Sequence, residues 1–489
     1  MPIRIAMIAA ECEPWAKTGG LGDVVDALSR ALGRVAGATD GPVEVFLPRY
    51  RSVPVPAGAH PTRAVRVPDP LAPDGTTELS VVDVQADGYL LRLIDHPPAY
   101  DRDGMYGPPG GGDFADNAWR FGLLCRAALE TLRTEPDRPV DILHLHDWHA
   151  GPAAIQRDAW AADDPVLGRA AIAITLHNLA YHGWTGLDQL GQLGLVPGGG
   201  ILPAGADGVD LLREGIVRAE VANTVSPGFA REALTPEGSF GLADALAAKG
   251  DRFVGILNGL DTTVWDPATD PDLAAPYSAA DLAGKAACRA DLLERVGFDP
   301  ADDGPVLGMI GRLDPQKGFD LVHGAAPRLL AGGARIVVQG SGDPGLAAGL
   351  RAMAESEPDR VALIERFDRA MARRIYAGVD FFLMPSRFEP CGLNQMYSLR
   401  YGTPPVVRAV GGLNDTVQQF DAATKKGNGF KFEEPTAAAL QASLTDVLEV
   451  WARPAAWRAM QKNGMKANHS WDRSAREYVK VYRAAIKSA

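Results

Sequence analysis

Short apolar runs alternate with amphipathic stretches along most of the chain, and the alternation predicts strands and helices in turn. Residues 4–9 are a short, mostly apolar run of strand length. Residues 21–35 follow with Val24, Val25, Leu28 and Leu32 on one helical face. Residues 44–50 read as the next strand, and alternating runs at 63–67, 79–84 and 89–94 predict a small antiparallel excursion. A helix over 116–132, strands at 141–147 and 170–178, and a Gly-rich loop over 191–207 come next. A helix over 208–220 and short strands at 222–226 and 254–257 close the first half. From residue 305 a second series begins. Its strands are 306–310, 334–339, 361–366, 381–384 and 405–408, and its helices 319–330, 345–356, 369–377, 393–401 and 414–420. Such alternation predicts an α/β protein with right-handed parallel sheets. Two doubly wound domains are expected, 1–254 and 255–470, with the amphipathic segment 471–489 packing back on the first.

In open parallel sheets, ligands bind outside the carboxyl ends of the strands, so the residues there are the candidates. The first strand runs into Lys17, Gly19, Gly20, Gly22 and Asp23. A glycine-rich loop between strand and helix lets backbone N–H groups approach a phosphate. The spacing is neither a dinucleotide fingerprint, because Val25 stands where a third glycine is needed, nor a P-loop. A glycine turn beside a solvated lysine remains the plain alternative. Residues 100–112 (YDRDGMYGPPGGG) form a loop of the kind that covers a site. The strand at 141–147 ends in Asp147, that at 170–178 in His177 and Asn178, and that at 254–257 in Asn258.

In the second half the strand at 306–310 is followed by Gly311, Arg312, Lys317 and Gly318. Arg312 offers a fork of donors and Lys317 a point charge, a pair suited to one diphosphate; two solvated surface charges are the alternative. The strand at 381–384 runs into PSRFEPCGLNQ (385–395), which brings Glu389, Cys391, Gly392 and Leu393 to the front of a helix. A helix N-terminus suits an anion, whereas Glu389 suits something neutral and rich in hydroxyls, or a developing cation. An anion and a polyol side by side suggest a nucleotide sugar.

Composition narrows the classes. The chain has 489 residues, of which 46% are hydrophobic and 22% charged, as in globular proteins. No apolar run reaches the ~18–20 residues of a membrane helix, and the first residues lack the pattern of a signal peptide. A net charge of −12 argues against nucleic-acid or anionic-membrane binding. The four cysteines, Cys12, Cys125, Cys288 and Cys391, are scattered and fit a reducing, cytoplasmic setting.

Taken together, KTGGLGDV (17–24), YDRDGMYG (100–107), HDWHA (146–150), TLHN (175–178), LNGLD (257–261), GRLDPQKG (311–318), PSRFEPCGLNQ (385–395) and GGLNDTV (411–417) resemble the glycogen and starch synthase family, in its order and over nearly the whole chain. The resemblance implies a GT-B fold, two Rossmann-like domains facing each other across a deep cleft. It implies a retaining transfer of glucose from ADP-glucose to the non-reducing end of an α-1,4-glucan such as glycogen, with no metal and no cofactor beyond the donor. It assigns Lys17, Gly19, Gly20, Asp23, Asn178, Asn258, Cys391, Gly392 and Leu393 to the donor nucleotide sugar. It assigns catalysis to Asp147, His177, Arg312, Lys317 and Glu389. Arg312 and Lys317 would take the charge of departing ADP. The His177 carbonyl and Glu389 would stabilise an oxocarbenium-like sugar or hold its hydroxyls. Gly311, Arg289 and Phe367 depart from the family pattern, the last where a Tyr often lies against adenine; stacking survives and the hydroxyl is lost. A UDP-sugar-dependent transferase of the same architecture and a non-catalytic glucan binder are the competing readings.

Overall fold

The structure is a computed structural model that describes residues 2–35, 37–55, 59, 61–109, 111–161, 163–193 and 207–489. Its contacts divide the chain into two compact units. One comprises Met1–Val225, Ala230–Gly259 and Trp471–Ala489; the other comprises Ser226–Phe229 and Leu260–Ser470.

The first unit carries β1 (Ile5–Ile8), β2 (Val43–Pro48), β3 (Arg63–Pro68), β4 (Thr76–Gln85), β5 (Tyr89–Asp95), β6 (Ile142–His146), β7 (Ala171–Leu176), β8 (Trp184–Gly186), β9 (Gly208–Asp210), β10 (Val221–Thr224) and β11 (Phe253–Gly255). Among the described residues, nine of them form one sheet in the order β11-β10-β7-β6-β1-β2-β5-β4-β3. Every residue of β1, β2, β6 and β7 is buried. That is why these strands read as largely apolar runs, interrupted by the buried Glu44 on β2 and by His144 and His146 on β6: parallel strands are covered on both faces. β3 alternates exposed and buried positions, as an edge strand with one wet face does.

The antiparallel excursion is present as β3-β4-β5, but β5 also pairs in parallel with β2, so it extends the main sheet. Residues 208–220 are not one helix. β9 pairs with β8, and the helix Leu211–Arg218 starts only after Asp210, whose carboxylate caps it by accepting from the Arg213 N–H at 2.9 Å. Most of the loop expected over 191–207 (194–206) lies outside the described residues. β11 still pairs with β10, so the chain leaves the first unit after Gly259, later than the 254/255 division expected from sequence. The C-terminal helix Trp471–Ser488 belongs to the first unit and buries Tyr478 and Tyr482 completely.

The second unit carries β12 (Val306–Ile310), β13 (Arg335–Gln339), β14 (Val361–Ile364), β15 (Phe381–Met384), β16 (Pro405–Arg408) and β17 (Phe430–Phe432). They form one parallel sheet in the order β14-β13-β12-β15-β16-β17. Successive side chains alternate between two cores. Leu307, Met309, Phe381 and Leu383 pack on one face, and Val306, Phe382 and Met384 on the other. β17 and the helices Ala283–Arg295, Ala437–Trp451 and Pro454–Lys466 were not read from the sequence. The helix expected at 414–420 lies at Gly411–Thr416, displaced toward its glycines. A Cβ on Gly411 or Gly412 would stand 2.0 Å from the Glu389 carbonyl or 2.2 Å from the Cys391 carbonyl. Close packing of two backbones therefore fixes the start, against glycine's weak helix propensity.

Candidate active site

Each unit presents its own set of candidate residues at strand ends. In the first, the loop after β1 is organised by Glu11, a 4% exposed carboxylate that the sequence reading did not single out. Glu11 accepts from the Thr18 N–H at 2.7 Å, the Thr18 hydroxyl at 2.7 Å, the Gly19 N–H at 3.0 Å and the Tyr106 hydroxyl at 2.6 Å. The loop amides at 18 and 19 therefore serve an internal carboxylate. Gly19 and Gly20 keep space clear: a Cβ on either would meet nothing within 4 Å. Lys17 is not a lone solvated charge, because its Nζ lies 3.0 Å from Glu13 and 2.6 Å from Asp23. Burial raises the Asp23 carboxyl to about 7, against the pull of Lys17. The loop 100–112 reaches this site through Tyr106, whose ring lies 4.8 Å from that of His149.

Asp147 stands between β6 and the helix Asp147–Trp160, with a left-handed backbone (φ 55°) that Asp tolerates better than most residues. The turn aims its carboxylate across to the end of β7, where it accepts from the His177 N–H at 2.7 Å. It is 6% exposed, and burial raises its pKa to about 7. His177 Nε2 lies 3.0 Å from Nδ1 of His146, and burial lowers His177 to about 3, so the imidazole is neutral. The Asn178 side chain accepts from Ala180 N–H at 2.9 Å in a local turn. Asn258 is 6% exposed, and its side-chain oxygen has no partner among the described residues.

In the second unit, 385–395 is strapped to the loop after β12. Arg387 donates to both Asp320 oxygens at 2.8 and 2.7 Å, its N–H donates to the Gln316 carbonyl at 2.7 Å, and the Gln316 amide donates to the Phe388 carbonyl at 2.7 Å. The Asn394 amide donates to the Ile310 carbonyl at 2.8 Å. Gly318 is left-handed (φ 75°), and a Cβ there would come 2.3 Å from the Pro385 carbonyl. This strapping brings Lys317 Nζ to 2.5 Å from Glu389, which also accepts from the Ser386 hydroxyl at 3.1 Å. Arg312 is 69% exposed with only Asp314 nearby, at 3.8 Å. Cys391 is buried, as a packing role requires. Gln395, another residue the sequence reading passed over, donates to the Cys391 and Gly392 carbonyls at 3.0 Å each and locks that turn. Phe367 is 81% exposed, an aromatic face with no partner ring among the described residues. Arg289 is structural, donating to Asp380 at 3.4 Å and to the Gly304 carbonyl at 2.7 Å. Among the described residues, no group of three or more His, Cys, Asp or Glu is placed to hold a metal.

The structure therefore joins Asp147 to His177 in one unit and Lys317 to Glu389 in the other. Nothing in the local spacing announced Glu11, since its partners lie seven, eight and 95 residues away.

The family model "Starch synthase catalytic domain" matches residues 4–248, and "Glycosyl transferases group 1" matches 294–465. The chain is 44% identical over 490 residues to a glycogen synthase of Anaeromyxobacter dehalogenans (strain 2CP-C), covering 98% of this chain and 99% of that one. It is 40% identical over 487 residues to a glycogen synthase of Koribacter versatilis, covering 99% and 98%. The catalytic domain of starch synthase IV from Arabidopsis thaliana, bound to ADP and acarbose, superposes with a TM-score of 0.88 at 33% identity and full coverage of both chains. Sucrose-phosphate synthase from Thermosynechococcus elongatus shares the fold, with a TM-score of 0.61 at 19% identity over all of both chains. Two Rossmann-like α/β sheets of the GT-B type and relatives matched from end to end place the chain in the glycogen and starch synthase family of glycosyltransferases.

Proposed function

We propose that the chain elongates α-1,4-glucan by transferring glucose from ADP-glucose to the non-reducing end, with retention at the anomeric carbon. The observation that carries the reading is the 2.5 Å Lys317–Glu389 pair, with an exposed Arg312 on the same loop after β12. Cations fit a diphosphate, and an acid in contact with one of them fits the sugar attached to it. In this reading Arg312 and Lys317 take the charge of departing ADP, and Glu389 gives up part of its hold on Lys317 to donor hydroxyls. In the first unit, Asp147 fixes the backbone at His177, whose carbonyl and imidazole serve the glucosyl group. The acceptor hydroxyl attacks from the leaving-group face, and its proton passes to a phosphate oxygen. No covalent glycosyl-enzyme and no resident metal is required, and Glu389 positions the sugar and stabilises charge. Adenine recognition draws on the exposed Phe367 ring. The ADP and acarbose bound to the Arabidopsis relative support this donor and acceptor class. Four buried free cysteines support a cytoplasmic setting.

The test is incorporation of radiolabel into glycogen by the full chain, with ADP-glucose and UDP-glucose in parallel. Incorporation from ADP-glucose is expected. Incorporation from UDP-glucose alone overturns the donor, and none from either overturns the transferase reading. Arg312→Ala should lower the rate by about 10²–10³-fold, the usual loss when a donor aimed at transition-state charge is removed; near-normal turnover defeats its assignment.

A further inference from the structure

β6 places His144 and His146 two residues apart, on one face of the strand and beside β7. His144 Nε2 lies 2.7 Å from the Thr175 hydroxyl, which itself donates to the Asn223 side-chain oxygen at 2.9 Å. The Asn223 amide donates to the Tyr478 hydroxyl at 3.1 Å. The Tyr482 hydroxyl lies 2.8 Å from His144 Nδ1. A threonine hydroxyl has one hydrogen, and here Asn223 receives it. His144 must therefore donate from Nε2, and its Nδ1 accepts from Tyr482. The tautomer of His144 is thus set by two tyrosines of the C-terminal helix.

The next ring has one freedom left. His146 lies 4.2 Å from His144 with its ring tilted by 39° and stacks on His177 at 5.3 Å; its Nδ1 meets His177 Nε2 at 3.0 Å, and its own Nε2 is buried with no partner among the described residues. Burial holds all three imidazoles neutral, so each carries one hydrogen. Hydrogen on His146 Nε2 would leave a buried N–H without an acceptor, which carries the full desolvation cost of that donor. An unmatched lone pair is tolerated better. His146 therefore keeps its hydrogen on Nδ1 and donates it to His177 Nε2. His177 is half-buried, and its Nδ1 makes no hydrogen bond among the described residues.

We propose that His146 is a positioning residue that locks His177 in its Nδ1–H tautomer, so that the free edge of His177 offers the donor sugar a hydrogen-bond donor and never a lone pair. This rests on the role given to His177 under the proposed function, and it adds the sense of the contact: the partner is a hydroxyl oxygen that accepts.

The chain has nine histidines, few enough for imidazole ¹⁵N spectra of the histidine-labelled protein, with His177→Gln to assign the signals. The expected spectrum shows a protonated Nδ1 and a bare Nε2 at His177, and a protonated Nδ1 at His146. A protonated His177 Nε2, or an even mixture of tautomers, overturns the proposal. That readout needs no turnover, so absence of glucosyl transfer would defeat the functional reading and leave the tautomer decided. In the enzyme, His146→Phe keeps a ring and removes the donor. It should lower kcat about tenfold, the size of one weakened hydrogen bond, with the donor KM nearly unchanged. His146→Gln, whose amide can still donate, should recover part of the loss. Equal activity of His146→Phe and the parent, in protein of unchanged fold, also overturns the proposal.

Discussion

At the scale of single residues, charge pairing decides which acids and bases are ready for a substrate. Arg387 and Glu389 are two apart in sequence yet serve different partners, Asp320 and Lys317. Arg312 has been left exposed. Glu11 carries the sharpest residue-level expectation. Its carboxylate accepts from two N–H groups and two hydroxyls, and an amide offers only one accepting oxygen and brings two unwanted donors. Glu11→Gln should therefore loosen the loop that carries Lys17, lowering kcat/KM for glucosyl transfer by about 10–100-fold, on the order of 1.4–3 kcal/mol. Tyr106→Phe removes one of the four hydrogen bonds and should cost less. Steady-state kinetics of both variants would check this, and equal effects of the two would argue against Glu11 as the organiser. Lys17, Asp147, His177, Lys317 and Glu389 were all readable as polar residues at strand ends. Glu11 was not, because its role arises from donors up to 95 residues away.

At the scale of elements, β6 and the turn after it carry titrations of opposite sign. The Asp147 carboxyl titrates near 7 when folded against 3.8 as its reference, so the folded state holds a proton that the unfolded chain has released between those values. Stability from this group falls as pH rises through that window, by roughly 4 kcal/mol at most. The buried neutral histidines act the other way. His144 and His177 titrate near 3 against 6.5, so the unfolded chain binds protons first and stability falls as pH drops below about 6.5. Asp147→Asn retains an oxygen for the His177 N–H and removes the first term. Its melting temperature relative to the parent should therefore rise between pH 5 and pH 8. A pH-independent difference would remove Asp147 from the account. Element type was legible wherever burial was uniform, as in β1, β7 and β15, since an apolar run of strand length with turn residues at its ends favours a buried strand. It failed at 208–220 and 414–420. There an aspartate cap and a close approach of two backbones outweighed the periodicity.

At the scale of the whole molecule, the last helix completes the first unit. Trp471, Tyr478 and Tyr482 are almost wholly buried, and Ser474 donates to the Leu257 carbonyl at 2.6 Å. Ending the chain at residue 470 should destabilise the first unit by several kcal/mol, at about 1.5–3 kcal/mol for each large buried side chain. Tyr482→Phe should cost about 0.5–1.5 kcal/mol, the net worth of the one hydrogen bond that His144 Nδ1 loses. Thermal unfolding of both proteins would measure this, and a truncated chain as stable as the full one would refute it.

What the sequence determined by itself was the fold class, most of the strands of the two sheets and the polar residues that stand at their ends. Those follow from local periodicity and from glycine, histidine and acidic residues placed just past apolar runs. Only the tertiary structure decided that Glu11 occupies the loop amides, that Lys17 and Lys317 already hold acids, and that two tyrosines near the C-terminus set the state of a histidine on β6. Each of those is a contact between distant segments, and a hydrogen bond depends on where both partners are held in space.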